Sequence, residues 1–367
     1  MRLRASPYLK AAMLAAAVAL AAVTAYAGFF LVSVPSAAKE FKEVLIPAGS
    51  SYRAVATLLE EQGIITNKET FIILGKLTGA TKIIRAGFYS LNTSMRPLEV
   101  LEYIKQGRII EFQVVLPEGI TIRKTASLLQ DNGLVDAAEF LTMANDPDYV
   151  HSLGIDADTL EGYMFPATYY FPKGITTDGI IRRLVSKYKD VFSDDLKARA
   201  AEVGMSEHEV VTLASLVERE AMLDKERLLI SAVFHNRLKR GIRLQCDPTV
   251  IYALEKKGGW NGDITKADLR MKDPYNTYMY PGLPPGPIAN PGKPSIIAAL
   301  YPADVDYIFF VSKNDGTHFF SGSLAEHNLA VREFQKSLLD ETKETGAVQE
   351  EAPGARPALP VEAKKAR

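Results

Sequence analysis

The chain opens on one long apolar run and then changes to mixed apolar and polar positions at helical or strand spacing. Ala11 to Val34 spans 24 positions without a charged side chain. That exceeds the roughly 20 residues a helix needs to cross a bilayer. In residues 1–10, Arg2, Arg4 and Lys10 precede the run, which predicts a cytoplasmic N-terminus, a single transmembrane helix over 11–34 and export of everything after it. Ala25-Tyr26-Ala27 also fits the small-x-small pattern of a cleaved signal peptide. The apolar run continues through Phe29, Phe30, Leu31 and Val32, which favours an uncleaved anchor. Either reading puts the body of the chain outside the cytoplasm. Residues 35–43 read as a juxtamembrane linker.

The pattern then repeats. Val44 to Ile65 (VLIPAGSSYRAVATLLEEQGII) aligns without gaps to Val114 to Val135 (VVLPEGITIRKTASLLQDNGLV), 70 positions later. Each copy has a β-type run, a Pro-x-Gly reversal and a helix with apolar residues at helical spacing, such as Val55, Leu58 and Leu59. Gly63 and Gly133 sit where a glycine ends a helix. The first copy continues with a helix around Glu69 to Leu77, a β-type run over Ala86 to Asn92 and a helix from Pro97 to Gln106. These strand–helix–helix–strand units resemble LysM modules, which bind glycan chains; the alternative is a plain structural subdomain. The expected divisions are a LysM-like unit over 44–112 and a repeat-related unit over 113–159.

From Leu160 the pattern changes. Leu160 to Phe171 is dense in aromatics and reads as a strand or ordered loop. Helices are expected over Thr177–Lys197, Ser206–Met222 and Asp224–Lys239. Asp247-Pro248 reads as an N-cap and first-turn pair opening a further helix. Tyr275 to Gly292 is rich in Pro and Gly and reads as extended loop. Asp306–Ser312 and Thr317–Gly322 read as a hairpin around Asn314-Asp315-Gly316, and Asn328–Leu339 as a closing helix. The segment 160–339 is thus expected to be one mostly helical domain with a β component, and 340–367 a disordered tail too poor in large apolar residues to fold. The fold class is α+β.

Composition narrows the function classes. The 367 residues carry 43 basic and 44 acidic side chains, a net charge of -1, so the basic surplus of a nucleic-acid binder is missing. Cys246 is the single cysteine, which excludes an intramolecular disulfide and a cysteine zinc cluster; it reads as a small, partly buried hydrophobe. The five histidines, His151, His208, His235, His318 and His327, show no zinc-ligand spacing, and no nucleotide-binding motif occurs. No metal and no cofactor is expected.

The segment Glu209 to Glu226 holds the candidate chemistry. On a helical wheel Val210, Leu213, Val217 and Ala221 share a face, and Glu220 falls inside that apolar arc. Glu218 falls toward its edge, where it can reach solvent or a positive partner. A carboxyl group in apolar surroundings holds its proton to higher pH, as a group that must protonate a glycosidic oxygen requires. The alternative for Glu220 is a buried ion pair with Arg227 or Arg237.

In order along the chain, the paired Pro-x-Gly units, LEGYMFPATYY (160–170), LASLVERE (213–220), VFHNRL (233–238), RLQCDPTVIYAL (243–254), YNTY (275–278), GLPPGPIANPG (282–292) and HNLAV (327–331) resemble the endolytic murein transglycosylase family, also called YceG-like. The resemblance covers nearly everything between anchor and tail. It implies that the second glutamate of the E-x-E pair, Glu220, is the catalytic residue. The position after it, often Thr in the family, is Ala221 here. It also implies cleavage of the MurNAc–GlcNAc β-1,4 bond of peptidoglycan with a 1,6-anhydro end, in which one group serves as acid and then base. On this reading Gln245, Asn276, Thr277 and Tyr278 hydrogen-bond sugar groups, and Tyr252 and Tyr278 stack on sugar faces. Glu218 binds substrate or positions Glu220. Asp247 is a helix cap at the substrate groove rather than a second catalytic group, and Pro284, Pro285 and Pro287 fix one wall. The implied partners are glycan strands and peptidoglycan synthases, including penicillin-binding proteins, at the inner membrane with the catalytic domain on its periplasmic or outer side. The alternatives are a non-catalytic glycan-binding scaffold and a muramidase-type hydrolase.

Overall fold

The computed structural model describes residues 7–80 and 84–334. The expected disordered tail, 340–367, and the end of the expected closing helix lie outside the described residues. The chain divides into two compact units at Phe192/Ser193.

The first unit begins with α1 (Pro7–Val32), which is apolar on all sides. Then follow β1 (Phe41–Ile46), α2 (Tyr52–Glu61), α3 (Lys68–Leu77), β2 (Gly87–Asn92) and α4 (Pro97–Lys105). β1 and β2 pair antiparallel from Phe41 opposite Asn92 to Ile46 opposite Gly87. The repeat is visible in the local chemistry. Ser51 caps α2 by accepting from the Ala54 N–H, and Gly63 follows at φ +65°, a left-handed conformation that glycine adopts without steric cost. Val55, Ala56 and Leu59 face a core built with Val44, Ile46, Phe71, Tyr89 and Leu91. Tyr52 stacks on Phe71 at 5.7 Å, and its ring fills the space where any side chain at Gly75 would stand.

The second copy runs β3 (Glu111–Val115), α5 (Ile122–Asp131), α6 (Ala137–Ala144), α7 (Pro147–Ser152) and β4 (Thr168–Pro172), and α8 (Thr177–Val191) completes the unit. Thr121 caps α5 as Ser51 caps α2, and Gly133 stands at φ +68°. β3 pairs with β4 from Glu111 opposite Pro172 to Val115 opposite Thr168. The repeat-related unit therefore closes with residues beyond 159, and the boundary expected at 160 moves to 192. The reason is a strand pairing that the local pattern does not encode. The linker expected over 35–43 is shorter as well. β1 starts at Phe41, and Thr93 bonds to the backbone of Ser36, Ala38 and Glu40.

The second unit contains α9 (Asp194–Glu202), α10 (Glu207–Glu220), α11 (Arg227–Lys239), α12 (Asp247–Lys257), α13 (Lys293–Leu300), β5 (Phe309–Ser312), β6 (His318–Ser321) and α14 (Leu324–Phe334). The single helix expected over Thr177–Lys197 is two, because α8 stops at Phe192 and Ser193 opens α9. The hairpin forms as expected, from Phe309 opposite Ser321 to Ser312 opposite His318, with Asn314 at φ +64° in its turn. α10 is the central element. Every residue from Val210 to Val217 is buried, and it packs against α11, α12 and α13.

Candidate active site

α10 carries both glutamates of the E-x-E pair in its last turn. It starts on a capping box, in which Ser206 Oγ accepts from the Glu209 N–H and the Glu209 carboxylate accepts from the Ser206 N–H. It stops at Glu220 because Ala221 turns to extended backbone, ψ 116°. The Pro- and Gly-rich run lies along this helix, fastened at three points. His208 Nε2 bonds the Pro285 carbonyl at 2.9 Å, the Ile288 N–H donates to Ser215 Oγ at 3.0 Å, and the Gly292 N–H donates to Glu218 at 3.0 Å.

Glu218 is held within the fold and is not among the residues lining the cleft beside Glu220. Its carboxylate also accepts from Ser295 Oγ at 2.8 Å and pairs with Arg227 at 3.2 Å. Both side chains are buried, 6% and 9% exposed. The wheel places Glu218 toward an edge where it meets either solvent or a positive partner. The positive partner is what the structure contains.

Glu220 is half-buried and lines a cleft of about 300 Å³. Arg237, Leu244, Gln245 and Asp247 form one side, Tyr278 stands beside them, and Phe310, Ser312 and His318 of the hairpin with His327 and Val331 of α14 form the other. Packed protein around the Glu220 carboxyl lifts it from 4.5 to about 7, desolvation being the main cause. The Asp247 charge adds to the lift. The Cys246 thiol, which hydrogen-bonds the Glu220 carboxyl, opposes it most, followed by Arg219 and Arg237. Cys246 is itself fully buried, and burial together with the neighbouring carboxyl pushes the thiol well above its usual range, so it stays protonated as a donor. The lone cysteine is more than the inert hydrophobe expected.

Removing that donor should lift Glu220 further. In Cys246→Ala the Glu220 midpoint is expected above its value of about 7 in the parent, read as a carbon-13 NMR titration of the side-chain carboxyl. An unmoved midpoint would show that the thiol does not bond the acid.

Arg237 holds the neighbouring wall. It donates to the carbonyls of Ile308 at 2.6 Å and Leu244 at 2.8 Å, and reaches Gln245 Oε1 at 3.4 Å. Burial lowers its pKa. Gln245 sits at φ +51°, in the left-handed region; a non-glycine residue there is held by its surroundings at a cost of about 1 kcal/mol or more. Tyr278 donates its hydroxyl to Asp247 Oδ1 at 2.5 Å. Asp247 is the first residue of α12 rather than its N-cap, which is Cys246, and Pro248 follows within the first turn. The shift of one residue arises because the Asp247 carboxylate is taken by Tyr278, while the Cys246 N–H is bound by Thr277 Oγ1 at 2.9 Å.

Of the expected substrate residues, then, Gln245, Asp247 and Tyr278 line the cleft with Glu220, and the others are not among its lining. Asn276 is fully buried and donates to the carbonyls of Asp268, Leu269 and Met271. Thr277 is buried against Cys246 and Thr249. The Tyr252 ring packs on Tyr275 at 4.9 Å. They build the wall that presents Gln245 and Tyr278. Sequence reasoning missed the far side of the cleft. His318 was weighed there only as a metal ligand; it bonds Glu226 at 2.7 Å, its Nδ1 facing Oε2. His327 stacks on Phe309 at 4.9 Å, and its Nδ1 is buried without a hydrogen-bond partner. The HNLAV motif was the available signal. Among the described residues no group of three or more His, Cys, Asp or Glu side chains gathers as a metal site.

Such a cleft, with one carboxyl group poised near neutrality and a cation beside it, can give a proton to a leaving oxygen and take one back. Comparison with known proteins agrees with this chemistry. The model of the YceG-like family matches residues 44–333. A protein of Bacillus subtilis (strain 168) named endolytic murein transglycosylase is 33% identical over 327 residues, covering 85% of this chain and 90% of that protein. One of the same name from Streptococcus pneumoniae (strain R6) is 28% identical over 343 residues, covering 84% of this chain and 61% of that protein. A crystal structure of a yceG-like protein from Listeria monocytogenes superposes with a TM-score of 0.54 at 35% identity, covering 80% of this chain and all of that one.

Proposed function

Because this chain belongs to the YceG-like family and is a lytic transglycosylase acting on peptidoglycan, we propose that Glu220 performs both proton transfers of the cleavage and that the product carries a 1,6-anhydro-MurNAc end. The observation that carries this reading is the Glu220 carboxyl itself, raised to about 7 at the edge of the cleft. Protonated, it donates to the oxygen leaving C1 of MurNAc. As the carboxylate it then takes the proton of the C6 hydroxyl as that oxygen closes onto C1. No water enters the bond-breaking step, so no second carboxylate is required to activate one. Arg237 favours the carboxylate between the two transfers and Asp247 favours the acid, which keeps the group close to balance. Gln245 and Tyr278 offer polar groups to the sugar hydroxyls and acetamides. Asn276, Thr277 and Tyr252 act behind them.

A muramidase-type hydrolase is the second reading, and Asp247 is the observation that favours it, as the other carboxylate lining the cleft. Against it, one oxygen of Asp247 already accepts the Tyr278 hydroxyl. Digestion of glycan strands in heavy-oxygen water separates the two. The transglycosylase leaves new ends without the label. Label at the new C1 position would establish hydrolysis and make Asp247 the candidate for activating water.

The same proposal gives the two repeat-related units, β1–β2 with their helices and β3–β4 with theirs, a LysM-like role in holding glycan strands. It makes α1, whose most apolar 18 residues have a mean hydropathy of 2.1, a single-pass anchor with a cytoplasmic N-terminus. Peptidoglycan synthases, including penicillin-binding proteins, are the partners that supply the strands to be cut.

A further inference from the structure

We propose that α3 is a second membrane contact: its face bearing Ile73 and Leu77 lies in the headgroup–acyl boundary of the leaflet where α1 ends. This rests on the reading of α1 as a membrane span. The apolar stretch Tyr8–Val32 has 25 residues. At about 1.5 Å per residue it is longer than a hydrocarbon core of roughly 30 Å. Its C-terminal end is not free in solution but built into the first unit. Phe30 is 3% exposed in the core cluster. Ser33 Oγ meets Thr66 Oγ1 at 3.2 Å, and the Tyr26 hydroxyl meets Thr70 Oγ1 at 3.3 Å. The segment joining α1 to β1 is held by Thr93, so the connection from anchor to unit is bonded along its length.

The order of these contacts sets a direction. Passing from Thr66 to Thr70 moves forward along the chain into α3. The matching step from Ser33 to Tyr26 moves back along α1, by about 10 Å at the helical rise. α3 therefore advances toward the bilayer. Thr70, Ile73 and Leu77 fall on one face at three- and four-residue spacing, so the face that meets α1 is the face that carries the two apolar side chains. Ile73 is 56% exposed and Leu77 81%, whereas Phe71 and Ile72 on the opposite face are buried in the core. Lys76, also exposed, stands beside Leu77 where a cation can reach lipid phosphate. Leu98, 44% exposed, adds a third apolar side chain on α4, which packs against α1. Scattered apolar side chains on a surface need no explanation; these continue the contact of a membrane helix at the depth where amphipathic helices bind lipid. Two attachments would hold the first unit at a fixed depth.

The test uses the full chain in vesicles of phosphatidylethanolamine and phosphatidylglycerol, with the native thiol replaced by Cys246→Ser. Nitroxide labels are placed singly at Ile73→Cys, Leu77→Cys, Val18→Cys in α1 and Val115→Cys on β3. Electron paramagnetic resonance then compares broadening by oxygen, which enters lipid, with broadening by a water-soluble nickel complex. The expected result is an oxygen-to-nickel ratio at Ile73 and Leu77 shifted toward that at Val18 and away from that at Val115. Ratios at Ile73 and Leu77 equal to Val115, with Val18 in lipid, would overturn the docking and leave the anchor standing. A water-like ratio at Val18 would overturn both.

Discussion

Glu220→Gln should reduce glycan cleavage by about three orders of magnitude, the range that a positioned acid–base group contributes, while the protein stays folded. Gln keeps the shape and can bond the Cys246 thiol, but cannot release or accept the proton. The same substitution should make the second unit more stable above neutral pH. In the unfolded chain Glu220 ionises near 4.5, and in the folded chain near 7. Below pH 4.5 both forms are protonated, and the group contributes nothing to the pH dependence. Between those values the unfolded chain loses its proton first, so folded stability falls as pH rises, and above about 7 the penalty is complete. A shift of this size corresponds to at most about 3 kcal/mol. Urea unfolding of parent and Glu220→Gln at pH 5 and pH 8 reads it: the variant's advantage should grow with pH. A constant difference between the two proteins across that range would mean that Glu220 is not desolvated in the fold.

Glu218→Ala, two residues away, should do the opposite. Its carboxylate is the buried partner of Arg227 and the acceptor for Gly292 and Ser295. Removing it takes the buried carboxylate away from the Arg227 guanidinium, which keeps the exposed Asp224 as an ion-pair partner, and releases the Gly292 and Ser295 bonds that tie the start of α13 to α10. Loss of one partner of a buried pair costs about 3–5 kcal/mol, so the urea midpoint should fall sharply at every pH where the parent is folded. Removing both charges, as Glu218→Leu with Arg227→Met, should recover part of the loss, because no buried guanidinium then lacks its buried carboxylate. A midpoint unchanged in Glu218→Ala would return Glu218 to the role of an exposed acid available to substrate.

These opposite outcomes mark where sequence reasoning stopped. The repeat was legible because its signals are local: Ser51 and Thr121 at the caps, Gly63 and Gly133 at φ near +65°, apolar residues at helical spacing between them. The hairpin was legible for the same reason, from Asn314-Asp315-Gly316. α10 was found, but its two glutamates were sorted by a wheel that presumes one wet face, and burial from Val210 to Val217 removes that premise. What separates Glu218 from Glu220 is which distant group each meets: Arg227 and the Gly292 amide for one, the Cys246 thiol and the cleft for the other. The cleft's far wall, His318 and His327, lies about a hundred residues on, and no periodicity reports such a meeting. The pairing of β3 with β4 was hidden in the same way. The Asp-Pro signal gave the start of α12 within one residue, since Cys246 or Asp247 at the cap would leave the same pattern.

Whether Glu220 cuts glycan to an anhydro end is read by mass spectrometry of uncrosslinked glycan strands digested by the parent protein and by Glu220→Gln side by side. Strands ending in 1,6-anhydro-MurNAc are expected from the parent and none from the variant. Ordinary reducing ends from the parent, or anhydro ends still produced by Glu220→Gln, would contradict this role of Glu220.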